Sequence, residues 1–458
     1  MKTAITLSAL FIAGGIAAST AQELREVKIY NGEEVVLKMF AHEIDEIKVE
    51  DREDYPDIQP EWNLQEMPFG MVENSKVYAF KDKLYDGLFT RTLGWNGGDG
   101  VQTTQLPGGH IMWSFNDSFY GVVNPVTRAR GGCSFPRNTV MIQEADATGF
   151  PGEEEKYLHW TKDMVQTTNP NAGGYYQART FIRHPKASLT EQQIKDGNID
   201  QDYLYWAGDA TVVDGQLQMI WNAVDQTMTG LNSCLAIYDL EGEPGDDTYM
   251  KVVYEDHDFF PADRLCSYGG TLWEDEDGHT YLYGTYNSGF LDNRPLVART
   301  ATHDLRSQWE YYVKNEDGTW EWITTPPTKE QLDRSQITEH TLSLPWVFEE
   351  DGTYYLVSQT FPFGHEYVIF RSEHPWGPFV DRRELMKFPT ELDKLGVRTF
   401  RFTYMVHLHQ GLSREGELVI STNTDTDSFW DNFNAVGSAD FYRPYFYRIY
   451  NWKSVYDE

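Results

Sequence analysis

The sequence predicts an all-β fold, a five-bladed β-propeller with a short N-terminal β extension, and three observations carry that expectation. The first is a recurring hairpin. Five stretches join a short apolar strand to an aromatic-rich strand through a tight turn ending in glycine: VQTTQLPGGHIMWSF, ATVVDGQLQMIW, GGTLWEDEDGHTYLYGT, LPWVFEEDGTYYLVSQ and HQGLSREGELVIST. Asp-Gly, Gly-Gly and Glu-Gly between alternating apolar runs are hairpin signals, because glycine accepts the positive φ such turns need. The second is spacing. The turn glycines Gly215, Gly278, Gly352 and Gly416 recur at intervals of 63, 74 and 64 residues, and a further strand follows each hairpin (NTVMIQEA, NSCLAIYDL, PLVARTA, EYVIFRSE, RPYFYRIY). A small sheet repeated at a near-fixed period is how a propeller blade reads in sequence. The third is the lack of long amphipathic helices; residues 188–196 and 328–335 suit short ones.

From the N-terminus, residues 1–21 read as a signal peptide. Lys2 precedes an apolar run from Ile5 to Ala18, and Ser19-Thr20-Ala21 offers a small-residue cleavage site. No segment reaches the roughly 20 residues of a membrane span. The expected location is therefore outside the cytoplasm, periplasmic or extracellular. Residues 22–60 form the β extension and an acidic linker that is too small for its own core. Its strand-turn-strand pattern resembles the element preceding many exported proteins of Bacteroidota. Residues 61–458 hold the blades, with an insert from Gly149 to Gln201 lengthening the first interval.

Composition narrows the function. Lys and Arg number 38 against 71 Asp and Glu, a net charge of −33. Such a chain repels nucleic acid and anionic lipid, both of which are held by basic side chains. Aromatic residues make up 15%, including 14 Trp and 28 Tyr. Their flat apolar faces with polar edges suit the stacking of sugar rings. Three cysteines, Cys133, Cys234 and Cys266, allow at most one internal disulfide and suit neither a disulfide framework nor a metal site. A monomer is expected.

Propeller ligands sit where inner strands converge, so polar residues at the starts of those strands are the candidates. Blade one opens Gly94-Trp95-Asn96-Gly97-Gly98-Asp99-Gly100, and blade two opens Trp206-Ala207-Gly208-Asp209. Asp99 and Asp209 thus take equivalent places, and Trp95 offers a ring for a sugar. Asp117 ends the aromatic strand of blade one, and Glu339 precedes the inner strand of blade four. His407 and His409 share one strand face by their period-two spacing. Asn138, beside Arg137, and Arg443 are candidate hydrogen-bonding partners. The nucleophile elbow, the phosphate loop and the His-Glu-x-x-His zinc motif are absent. Carboxylates remain, and two of them across a glycosidic bond suffice for its hydrolysis. No cofactor is required, and a channel ion such as calcium is compatible with the fold.

The run GWNGGDGVQTTQLPGGHIMWSFNDSFYG with NTVMIQ, together with YWAGDATVVDGQLQMIW, YGGTLWEDEDGHTYLYGT, SEHPWGPF and ADFYRPYF, resembles the uncharacterised five-bladed propellers related to glycoside hydrolase family 43. Within that group it is similar to the domains of unknown function DUF5005 and DUF4185. The resemblance covers roughly residues 90–450. It implies a propeller fold and glycosidase activity on furanoside-containing glycans such as arabinan. Asp99 matches the family's aspartate base by position, and Asp209 could match its pKa-tuning aspartate. The glutamate acid has no counterpart, since blade three opens Cys266-Ser267-Tyr268-Gly269-Gly270; Glu339 or Asp117 is left as proton donor.

The leading expectation is a secreted glycoside hydrolase acting by paired carboxylates. A non-catalytic glycan-binding or scaffold propeller is the alternative. A phosphorylase is a third reading, which would need Arg443, His407 and His409 to gather around phosphate.

Overall fold

The structure is a computed structural model that describes residues 26–31, 34–40, 76–145, 158–160, 164–166, 176–196, 198–246, 248–260, 265–289, 291–388, 400–426 and 428–457. The chain divides into two units, residues 1–55 and 56–458. In the first, Glu26–Asn31 pairs antiparallel with Glu34–Phe40. The signal peptide and the acidic linker lie outside the described residues.

Among the described residues of the second unit, five antiparallel sheets have four or five strands. Sheet I contains Gln102–Gln105, Ile111–Phe115, Thr139–Gln143 and Leu158–Trp160. Sheet II runs Tyr203–Val213, Gln216–Asp225, Gly230–Asp239, Lys251–Phe260. Sheet III runs Ser267–Glu274, Thr280–Gly289, Asp292–Thr300, Trp309–Lys314 and, at its outer edge, Trp320–Ile323. Sheet IV comprises Trp346–Glu350, Thr353–Gln359, Glu366–Ser372 and Val380–Lys387. Sheet V joins Phe400–Leu408, Glu417–Thr426 and Pro444–Tyr450 to Tyr78–Lys81 from the other end of the unit. The first four predicted hairpins form the first two strands of sheets I to IV; in sheet V the predicted first strand is a 3-10 turn at Gln410–Leu412, and the strand that pairs with Glu417–Thr426 is Phe400–Leu408. Each predicted follower forms the third strand. At Asp214-Gly215 and Asp351-Gly352 both turn residues have positive φ, the geometry that matches strand twist in a two-residue hairpin. The short helices Glu191–Lys195 and Lys329–Leu332 fall where expected, each opened by a threonine capping box.

The insert contributes strands of its own. Its Leu158–Trp160 supplies the outer strand of sheet I, and Met164–Gln166 pairs with Tyr176–Ala178. A further sheet of three strands, Leu93–Gly98, Ser118–Val123 and Arg130–Ser134, was not foreseen.

Apolar clusters fill the spaces between successive sheets. Trp221 and Ile142 meet between I and II, Leu235 and Leu282 between II and III, Tyr283 and Leu356 between III and IV. Val357 and Ile420 meet between IV and V, and Trp113 and Phe446 between V and I. Hydrogen bonds follow the same circuit. Asn138 reaches Tyr205, Asp209 reaches Leu272, Thr271 reaches Pro345, Trp346 reaches Val406 and His409 reaches Thr103. The last joins sheet V to sheet I. The junction of chain ends in sheet V rests on Arg448, fully buried, which pairs with Asp82 at 2.8 Å and Glu417 at 2.6 Å. All three cysteines are free thiols. Among the described residues, no helix is long and apolar enough to cross a membrane.

Candidate active site

A bend in one β-ribbon creates the site. Leu93–Gly98 pairs with Ser118–Val123 in the three-stranded sheet, and Gln102–Gln105 pairs with Ile111–Phe115 in sheet I. The ribbon changes sheet between these pairings, at residues 99–101 and 116–117. There the Asp99 N–H donates to the Asp117 carbonyl at 3.3 Å, and the Asn116 N–H donates to the Asp99 carbonyl at 2.8 Å. Gly100 has φ +60°, and a Cβ on it would lie 2.1 Å from Asn116 Nδ2. Only glycine fits this bend, so Asp99 and Asp117 are opposed across it by backbone geometry.

The other inner strands are irregular at the same level. Register shifts at Gly208-Asp209, Gly269-Gly270 and Met405-Val406, while in sheet IV only the bridge Leu342–Thr360 precedes Trp346. Such breaks re-aim side chains and cluster at functional sites. Here they open a pocket of about 400 Å³ to which all five sheets contribute: Gly100, Ala207, Gly270, Leu344 and Met405 line it. Amide side chains of Gln102, Asn116, Asn222 and Asn293 supply polar contacts, and Trp206, Phe361, Phe363 and Tyr404 supply rings. No Asp, Glu, Lys or Arg lines the pocket among the described residues.

Asp99 and Asp117 sit directly behind that lining, 8% and 5% exposed. The Tyr404 hydroxyl, on the pocket wall, donates to Asp99 Oδ2 at 3.0 Å. Arg137 grips Asp117 with both ends of its guanidinium, Nε–Oδ1 2.9 Å and Nη2–Oδ2 3.0 Å. Burial and the charge of Asp117 hold the Asp99 carboxyl well above the usual carboxylate range, despite the hydroxyls of Tyr404 and Tyr442. Burial raises Asp117 less, because Arg137 and the Trp206 indole N–H favour its ionised form. The pair therefore loses its first proton from Asp117 and its second from Asp99. That order leaves Asp117 the readier of the two to ionise and Asp99 the longer to keep its proton.

Other candidates have structural positions. Asp209 accepts from the backbone N–H of Ala210 at 2.9 Å and of Leu272 at 2.8 Å, tying sheet II to sheet III away from the pocket lining. Its burial pushes the carboxyl up to about 7. Glu339 is exposed and does not line the pocket, and among the described residues no contact brings it to Asp99 or Asp117. Trp95 is fully buried against Phe89 and Phe115, and its indole N–H reaches Ser118, which leaves no face for a sugar. Asn138 spends its amide on the backbone of Ile182 and Tyr205. His409 is held between Thr103 and Ser421, and Arg443 lies over the Tyr445 ring at 3.8 Å with its Nη1 on the Pro444 carbonyl. Of the five binding candidates only His407 lines the pocket, where burial lowers it to about 3 and keeps it neutral. The phosphate cluster that a phosphorylase would need is therefore not assembled. No group of three or more His, Cys, Asp or Glu side chains among the described residues is placed to hold a metal ion.

Sequence reasoning missed Tyr404, Trp206 and Asn116. The available signal was position: Tyr404 immediately precedes its strand's irregular pair, and Trp206 stands one residue further back.

The family described as "Domain of unknown function (DUF5005)" matches residues 82–452. A crystal structure from Bacteroides ovatus ATCC 8483, titled a "putative hydrolase", is 53% identical, covers 89% of this chain and 99% of its own, and has a TM-score of 0.80. A β-xylosidase, RS223, is 13% identical over 78% of this chain and 93% of its own, with a TM-score of 0.40. A GH43_1 enzyme from Xanthomonas citri is 14% identical over 78% and 88%, with a TM-score of 0.39. No curated protein matches the chain. The match over residues 82–452 and the Bacteroides relative together show that the chain belongs to the DUF5005 family.

Proposed function

We propose that the protein is an exported glycoside hydrolase whose five sheets are the blades of a propeller and whose catalytic pair is Asp99 and Asp117. The observation that carries this reading is the opposed, unequal carboxyl pair behind a neutral pocket rich in amides and rings. Glycoside hydrolysis needs one carboxyl to protonate the leaving oxygen and another, ionised, to activate water or attack carbon. Asp99 retains its proton because burial and the neighbouring charge oppose ionisation. Asp117 is ionised because Arg137 neutralises it. Asn, Gln and Tyr side chains suit sugar hydroxyls, and Trp206 suits a ring face. Among the described residues the lining carries no Asp, Glu, Lys or Arg, which favours a neutral sugar, with a furanoside polymer such as arabinan as the first substrate to test. The leader sequence supports export to the periplasm or beyond, and the reaction needs no cofactor. A polysaccharide panel read for new reducing ends tests the proposal; release that depends on Asp99 supports it, and binding without release supports a scaffold instead.

A further inference from the structure

Trp430 is 76% exposed, the most exposed ring among the large hydrophobic residues described. Its neighbours are not loose. The turn that carries it stands on Phe429 and Phe433, which pack against Phe119, Phe135 and Tyr442. Beneath that cluster lies Arg130, 1% exposed, with no carboxylate of the described residues hydrogen-bonded to it. Its guanidinium donates to the carbonyls of Asn432, Ser438, Asn96 and Phe441 and to Asn96 Oδ1, and it lies 4.2 Å from the Phe119 ring. Asn432 in turn donates to Asp425 at 2.8 Å. Burying a guanidinium is costly unless its donors are satisfied. Arg130 meets that condition through carbonyls from both ends of the 432–441 segment, and so clamps it.

Two ring contacts lead from Trp430 to Tyr442, and two lead to Phe135. Phe429 lies 6.0 Å from Trp430 and 5.6 Å from Tyr442, whose hydroxyl bonds Asp99. Phe429 also lies 5.8 Å from Phe135, which lies under Arg137 at 5.0 Å, and Arg137 holds Asp117. An exposed indole fixed this firmly, three contacts from Asp99 and four from Asp117, has an evident occupant when the ligand is a chain of rings. We propose that Trp430 is a sugar-stacking platform outside the pocket, an outer subsite for the same glycan whose adjoining residues occupy the pocket. This rests on the reading as a glycoside hydrolase, and it assigns the enzyme a preference for polymers over short substrates.

The test compares wild type, Trp430→Ala and Trp430→Tyr. Retardation is read in native gels cast with linear arabinan, xylan or β-glucan, and turnover on 4-nitrophenyl α-L-arabinofuranoside and β-D-xyloside. The expected result is that Trp430→Ala weakens retention by the retarding polymer about tenfold, while Trp430→Tyr restores most of it. The loss is larger on polymer than on the small glycosides. Equal retention of Trp430→Ala and wild type overturns the subsite. Wild-type turnover of a small glycoside without retention by any polymer overturns the subsite but keeps the hydrolase reading. Neither turnover nor retention by wild type overturns both.

Discussion

The Asp99 N–H donates to the carbonyl of Asp117 at 3.3 Å, so the two carboxyl groups spring from opposed positions of one bent ribbon. Their separation is set by backbone pairing and by Gly100, whose place no side chain can take. Their inequality is set by Arg137, which holds Asp117 alone.

That inequality predicts a bell-shaped pH profile. The proposed mechanism needs Asp117 ionised and Asp99 protonated, and both carboxyls lie above the usual range of about 4. Rate falls on the acid side as Asp117 takes up a proton and on the alkaline side as Asp99 loses one. Initial rates on the released substrate across pH 4 to 9 check this.

Arg137→Met removes the charge that keeps Asp117 ionised. The acid limb then moves to higher pH, while the alkaline limb moves less. A limb that stays in place separates Arg137 from the ionisation of Asp117.

Asp209→Ala tests structure rather than chemistry. It leaves the N–H groups of Ala210 and Leu272 without their acceptor and costs about 1–3 kcal/mol of folding stability. Because the folded carboxyl is raised to about 7, its favourable contribution is full below the usual carboxylate range and fades as pH rises through about 7. The stability gap between wild type and Asp209→Ala therefore narrows with rising pH, which chemical denaturation at pH 5 and pH 8 measures.

Arg448→Ala leaves Asp82 buried without its guanidinium at the junction of sheet V, while Glu417 keeps Arg414. A loss of about 3–5 kcal/mol is expected, seen as a lower unfolding midpoint.

Much of the fold was readable from the chain, because turn glycines and strand alternation are local signals. Asp214-Gly215 and Asp351-Gly352 mark their hairpins by dihedral need alone. The outer strand of sheet V was not readable, since Tyr78–Lys81 pairs with Tyr447–Tyr450 across the whole sequence. The three-stranded sheet was missed for a related reason: GWNGGDG looks like one inner strand, yet its Leu93–Gly98 part belongs to another sheet. In the site, Asp99 and Asp117 could be named because both flank glycine or turn residues at strand ends. Their roles could not, because those depend on Arg137 and on burial. Trp95, Asn138 and His409 have the right chemistry for sugar binding, but packing between sheets consumes their faces and hydrogen bonds.

The most direct measurement is reducing-end release from a panel of plant, fungal and mycobacterial polysaccharides by the mature protein, alongside Asp99→Asn. The account predicts release from a neutral polymer by wild type and a loss of about 10²–10⁴-fold in Asp99→Asn, with polymer binding retained. Release undiminished in Asp99→Asn, or binding by wild type with no release from any polymer, would contradict it.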